Sequence, residues 1–122
     1  MLLDFKAAPP EAFAGPWDLC VIGTGPAGMT VARSVAKQGG RVLLLEAGAL
    51  GPTQESQDIY AGKSVGSIDY PGVQRYRLRQ FGGTSMHWAG RCALFDRIDF
   101  ENRDVFGMPS WPISYEETYR HL

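Results

Sequence analysis

Cysteine is scarce in this chain. The two that occur, Cys20 and Cys92, are too few for a disulfide scaffold and too far apart for any metal-ligand spacing. Long apolar runs are missing as well. None approaches the roughly 18 residues that a membrane helix needs, so no transmembrane segment is expected. Neither sign of charge dominates: 12 Lys and Arg stand against 13 Asp and Glu, for a net charge of −1. That balance gives no overall grip on nucleic acid or on an anionic membrane. The opening Met1-Leu2-Leu3-Asp4-Phe5-Lys6 is too short and too charged for a signal peptide, which leaves the cytoplasm as the default compartment. There is no internal repeat, low-complexity tract or interdomain linker.

What is present has the size of one small domain, 122 residues. With 44% hydrophobic and 20% charged residues, the chain has enough apolar surface to fold and too little net charge to stay disordered. Glycine is over-represented, at 15 residues, against an average share near 7%. The placement of those glycines carries most of the information.

Residues 1–17 read as an irregular leader, broken by Ala7-Ala8-Pro9-Pro10 and Gly15-Pro16. Leu19-Cys20-Val21-Ile22 is a short apolar run of the kind that forms a strand buried on both faces. Cys20 is expected there as a small buried hydrophobe. A helix is expected from Ala27 to about Gln38, with Gly28, Ala32 and Val35 on one stripe and Val31 beside them. Gly39-Gly40 is its stop. Arg41 to Glu46 reads as a second strand, which makes a βαβ unit with parallel strands. Residues 47–72 show no element. Residues 75–81 alternate and predict a strand, with Arg75, Arg77 and Arg79 on one face. A solvated face is the simpler reading of those arginines, and steering of phosphates the other. Ser114 with Glu117 three residues on matches a capping box, so a helix should begin at Tyr115. Two central strands and one helix are fewer than a complete dinucleotide fold requires. The expectation is therefore an incomplete α/β Rossmann-like unit, with residues 18–122 the N-terminal part of a longer protein.

Gly23-Thr24-Gly25-Pro26-Ala27-Gly28 lies between the first strand and the helix, the context in which Gly-x-Gly-x-x-Gly signals dinucleotide binding. Gly23 serves the tight turn, Gly25 lets backbone approach a pyrophosphate, and Gly28 lets the helix pack on the strand. The anion then sits on free N–H groups at the helix start. Glu46, 18 residues beyond Gly28, is near the spacing expected of the acid that accepts the ribose hydroxyls. A carboxylate there disfavours NADP. FAD and NAD both use this unit. The run Leu44-Leu45-Glu46-Ala47-Gly48 and the long excursion after it favour FAD.

A second glycine turn follows: Phe81-Gly82-Gly83-Thr84-Ser85-Met86-His87-Trp88. The two motifs in this order resemble the glucose–methanol–choline family of FAD-dependent oxidoreductases. Asp99-Phe100 and Ser110-Trp111-Pro112 resemble the family's later stretch. The resemblance covers most of residues 18–117. It implies an FAD enzyme oxidising the CH–OH group of an alcohol or sugar by hydride transfer to flavin N5. It implies flavin or nucleotide contacts at Gly82, Gly83, Thr84, Ser85 and Ala47, besides the fingerprint residues and Glu46. Trp88 departs from the asparagine common in the glucose-oxidase-like branch. Thr84-Ser85-Met86-His87-Trp88 is closer to the Ser-Thr-His-Trp segment of pyranose oxidases, whose histidine is bonded to the flavin. His87 is thus a candidate for covalent attachment, or else for contact with the isoalloxazine. The family's catalytic histidine lies near its far C-terminus, so no catalytic residue is expected here and none is assigned to His121.

Two other classes stay open: a flavoprotein with two dinucleotide-binding domains, or a non-catalytic nucleotide-binding fragment. Ser85 is not in a Gly-x-Ser-x-Gly elbow, so hydrolase chemistry has no support. Trp17 and Trp111 are expected in the core, and Trp88 is a candidate lining residue of a cofactor cavity.

Overall fold

The structure is a computed structural model, and it describes residues 1–63, 65–66, 72–101, 107 and 109–122. The chain forms two compact units, Met1–Trp88 and Ala89–Leu122. Among the described residues there are two strands and three α-helices.

The first unit is built on β1 (Leu19–Ile22), α1 (Pro26–Lys37) and β2 (Val42–Leu45). The strands pair in parallel, Leu19 against Val42 through Ile22 against Leu45. Pairing runs one step past each end of the ladder. The Asp18 amide donates to the Arg41 carbonyl (2.9 Å), and the Gly23 amide to the Leu45 carbonyl (2.7 Å). The Asp18 carboxylate in turn accepts from the Arg41 amide at 2.7 Å. The expected β–α–β arrangement is therefore present as a mixed α/β unit with a two-stranded parallel sheet.

Helix α1 starts at Pro26, whose fixed φ suits the first helical position and whose missing N–H costs nothing there. It ends in a Schellman motif: the Gly39 amide donates to Ala36 and the Gly40 amide to Val35. The helix packs on both strands. Ala32 is the buried apolar residue at its centre. Gly28 brings the helix in. A Cβ there would overlap the Gly23 carbonyl oxygen and lie 3.3 Å from Val21 Cγ1. Val31, placed beside the buried stripe by its spacing, is half exposed.

The expectation of a sheet buried on both faces is corrected. In β1, Leu19 and Val21 are partly covered, whereas Cys20 and Ile22 are exposed, Ile22 at 85%. Side chains alternate across a strand, and α1 covers one face only. Cys20 is therefore not a buried hydrophobe among the described residues.

Residues 1–17 are less irregular than their composition implies. Pro10–Phe13 forms a 3-10 turn, and the Phe5 and Phe13 rings lie 5.1 Å apart. Trp17 donates from Nε1 to the Phe13 carbonyl at 2.9 Å and carries the Arg41 guanidinium 5.0 Å from its ring centre. Among the described residues of 47–72 there is one element that spacing did not reveal, α2 (Gln54–Asp58). Thr53 caps it by accepting from the Ser56 amide.

The strand expected over 75–81 is also corrected. Val73–Arg75 is a 3-10 turn, and pairing is confined to a single parallel bridge, Gln80 with Ala49. Side chains of α2 satisfy this backbone where a neighbouring strand would have. Gln57 Nε2 donates to the carbonyls of Gln74 (3.2 Å) and Arg77 (2.8 Å), and its Oε1 accepts from the Arg79 amide (2.7 Å). Ser56 Oγ donates to the Arg79 carbonyl at 2.6 Å. The alternation of arginines does not mark a ladder: Arg75 and Arg77 are exposed, whereas Arg79 is partly buried.

The second unit is organised by aromatic side chains. Trp111 is half exposed, yet its ring meets Phe95 and Phe100 at 5.6 and 5.9 Å, and Phe100 meets Tyr115 edge-on at 5.7 Å. Arg97–Phe100 is a 3-10 turn closed by a capping box between Asp96 and Asp99. Helix α3 (Tyr115–Tyr119) begins where the capping signal placed it, with Ser114 Oγ accepting from the Glu117 amide at 3.0 Å. Arg97 lies over the Tyr115 ring and pairs with Glu116.

Gly28→Ala should destabilise the first unit by about 1–3 kcal/mol through overpacking. Gly51→Ala, where an added Cβ meets nothing within 4 Å, should be neutral or slightly stabilising. Urea unfolding of the two variants beside the parent protein measures both; equal midpoints would contradict the tight helix–turn contact.

Candidate functional site

The parallel strands end side by side, which brings the residue after β1 next to the residue after β2. Gly23 turns the chain with a φ of 97°, a conformation costly for any residue with a Cβ. Thr24 then points inward at 2% exposure. Its backbone amide and its hydroxyl both donate to Glu46 Oε2, at 2.9 and 2.6 Å. Glu46 Oε1 accepts from the Gly48 amide at 2.9 Å.

The second glycine turn docks on the same residues. The Thr24 hydroxyl oxygen accepts from the Gly82 amide at 2.9 Å, 58 positions away in sequence. Gly82 and Gly83 have φ of 84° and 62°, and they lead into a 3-10 segment, Gly83–His87. A Cβ built on Gly83 would lie 3.5 Å from Gly25 Cα, so the two turns face each other backbone to backbone. Gly48 makes the docking possible from below, since a Cβ there would overlap the Arg79 carbonyl and stand 2.5 Å from Gln80 Cα. The Phe81 amide completes the contact by donating to the Ala49 carbonyl at 2.8 Å.

Between these segments lies a cavity of about 300 Å³. Its wall includes Gly23, Thr24, Gly25, Glu46, Ala47, Gly83 and Thr84 among the residues singled out from sequence. Pro26, Ala27 and Gly28 form the first turn of α1 beside it. No side chain caps that helix. Pro26 has no N–H, and the amides of Ala27 and Gly28 have no acceptor inside the helix. Gly25 has an ordinary backbone, φ −63° and ψ 174°, and a Cβ there would meet nothing within 4 Å. Its lack of a side chain is needed neither for the turn nor for packing. It keeps space clear in front of the helix start.

The remaining sequence-derived residues stand outside the cavity wall. Gly82 is spent on Thr24. Ser85 Oγ donates to the Gly82 carbonyl at 2.7 Å and closes the turn. His87 is exposed at the end of the 3-10 segment. Trp88, a candidate lining residue, is 61% exposed and does not line the cavity. Conversely, Tyr60, Leu78, Arg79 and Gln80 line it without having been singled out as site residues. Arg79 belongs to the three arginines read chiefly as a solvated face. Gln80 carried no pattern signal at all.

Electrostatics set the state of Glu46. Burial pushes its carboxyl upward. The Thr24 hydroxyl and the amides of Gly48, Thr24 and Ala47 together outweigh that and hold it below its ordinary value of 4.5. The group is therefore an anion at neutral pH and acts only as an acceptor. A carboxylate offers about four lone-pair positions. Thr24 takes both on Oε2 and Gly48 one on Oε1, which leaves at most one for a ligand.

No family model, curated protein or solved structure matches this chain in comparisons with known proteins. Among the described residues no group of acids, histidines or cysteines is arranged to hold a metal, and no helix is long and apolar enough to cross a membrane.

A depressed carboxyl pKa stabilises the folded state above the unfolded value and ceases to do so as pH falls through the folded one. The Glu46 contribution should therefore be intact at neutral pH and lost as the pH drops below about 4.5. Urea midpoints measured from pH 7 down to pH 3 should fall less steeply for Glu46→Gln than for the parent protein. Identical slopes would show that the carboxylate is not bonded as described.

Proposed function

We propose that this chain binds the ADP portion of FAD and is the nucleotide-binding segment of an oxidoreductase acting on the CH–OH group of an alcohol or sugar. The observation that carries the nucleotide reading is the clear space at Gly25, before an uncapped helix start and beside an anionic Glu46. A pyrophosphate on the Ala27 and Gly28 amides would be favoured by unpaired donors and by the helix dipole. The adjoining cavity, about 300 Å³, has room for a nucleoside but not for a whole dinucleotide. A ribose hydroxyl donating to Glu46 fits a carboxylate held ionised, and the same charge repels a 2′-phosphate, which disfavours NADP.

The oxidoreductase part of the proposal rests on the resemblance of the paired glycine turns to the glucose–methanol–choline family. Bound flavin would supply the hydride acceptor; this chain's residues bind and orient the nucleotide end. None of its described residues is assigned a proton-transfer role. His87 is proposed as a flavin contact on the same resemblance; it is exposed and stands outside the wall of the nucleotide cavity.

Gly25→Val should abolish FAD retention in the intact protein while costing about 1 kcal/mol of stability, the loss expected for a poor residue at the N-cap of α1. Visible flavin absorption after gel filtration, with parallel thermal unfolding, reads both. Normal flavin content in the variant would sink the nucleotide reading. Acid denaturation of the flavin-loaded protein should release the yellow colour into solution; colour retained on the polypeptide would restore His87 as an attachment point.

A further inference from the structure

Gln80 stands apart in the cavity wall. It is 94% buried, with a fractional exposure of 6%, and lines the same cavity as Glu46. Its side-chain carbonyl oxygen has no hydrogen-bond partner, the sole such buried side-chain atom among the described residues. Leaving a carbonyl buried and unpaired is costly, and native structures rarely do so without a reason. Packing gives none, because the backbone already fixes this residue. Gln80 is bridged to Ala49, and its carbonyl accepts from the Gly83 amide at 2.8 Å. An apolar side chain of the same size would fill the wall without the penalty.

The second observation is the near-exhaustion of Glu46. Its carboxylate has at most one position free, yet a ribose presents two vicinal hydroxyls. The wall of one cavity thus includes a carboxylate with one position left and a glutamine whose buried carbonyl lacks a donor. We infer that Gln80 is a specificity-determining residue of this cavity, accepting one ribose hydroxyl through Oε1 while Glu46 accepts the other. The inference rests on the nucleotide reading above and deepens it. The terminal torsion of glutamine is broad and roughly two-fold, so the amide turns toward the ligand without backbone movement. Both hydroxyls donate and both protein groups accept, so a ribonucleotide is distinguished from its deoxy analogues.

The test is calorimetric titration of the intact, flavin-free protein with ADP, 2′-deoxy-ADP and 3′-deoxy-ADP, repeated with Gln80→Met and Gln80→Leu. The parent protein should bind ADP. Each variant should bind ADP about tenfold more weakly and should lose nothing further against one of the two deoxy analogues, the one lacking the hydroxyl that Gln80 takes. The melting temperature of the ligand-free variants should be unchanged or higher, because an unpaired buried carbonyl has been removed. ADP bound equally well by parent and variants would overturn the role of Gln80 and leave the nucleotide reading standing. Equal losses for all three ligands, with a lowered melting temperature, would make Gln80 a structural residue and overturn the inference. No ADP binding by the parent protein at millimolar concentration would remove the nucleotide reading itself, and this inference with it.

Discussion

The first unit depends on one hydrogen-bonded junction, the Glu46 carboxylate held by Thr24. Two parallel strands of four residues and one helix are little to build on, and the core they enclose is thin. Ala32 is the only buried hydrophobic side chain among the described residues. The ends of the strands are instead tied by polar contacts. Thr24 donates twice to Glu46 and accepts once from Gly82, so a single buried side chain joins the end of β1, the end of β2 and the second glycine turn. Thr24 is 2% exposed, which shields these bonds from competing water.

The same junction shapes the site. Holding Glu46 from behind keeps its carboxylate ionised and fixes it in the cavity wall. It also uses up most of the carboxylate's capacity to accept. The docking of 79–83 on 46–49 requires Gly48, and it delivers Arg79 and Gln80 to the wall from a segment with no regular structure. The cavity lies at the carboxyl ends of the two parallel strands, the position at which open α/β sheets place their ligands. Glycine does two different jobs here. Gly28 and Gly48 permit backbone contact, whereas Gly25 leaves a space that the chain itself does not fill.

Much of this was legible in the sequence. The β–α–β order, the helix limits within one residue and the cap at Ser114 followed from local signals: apolar runs, a proline and glycines at helix ends, and a serine before acids. The three fingerprint glycines occupy the positions assigned to them, a positive-φ turn at Gly23, open space at Gly25 and close packing at Gly28. Other features were not legible because they are set by distant partners. The alternation at 75–81 resembled a strand, but Gln57 and Ser56 bind that backbone from α2. Cys20 sits in an apolar run that suggested burial, and only the number of covered faces decided its exposure.

The sequence alone determined β1, α1, β2, the start of α3, the first glycine turn and the presence of a second one, since these depend on residues within a few positions of each other. Only the tertiary structure decided that the two turns meet, that Glu46 reaches them already bonded on both oxygens, and that the Gln80 side-chain carbonyl is buried without a partner. Those outcomes rest on contacts between segments up to 58 residues apart. No spacing rule encodes them, because they arise from which backbones can approach closely enough to bond.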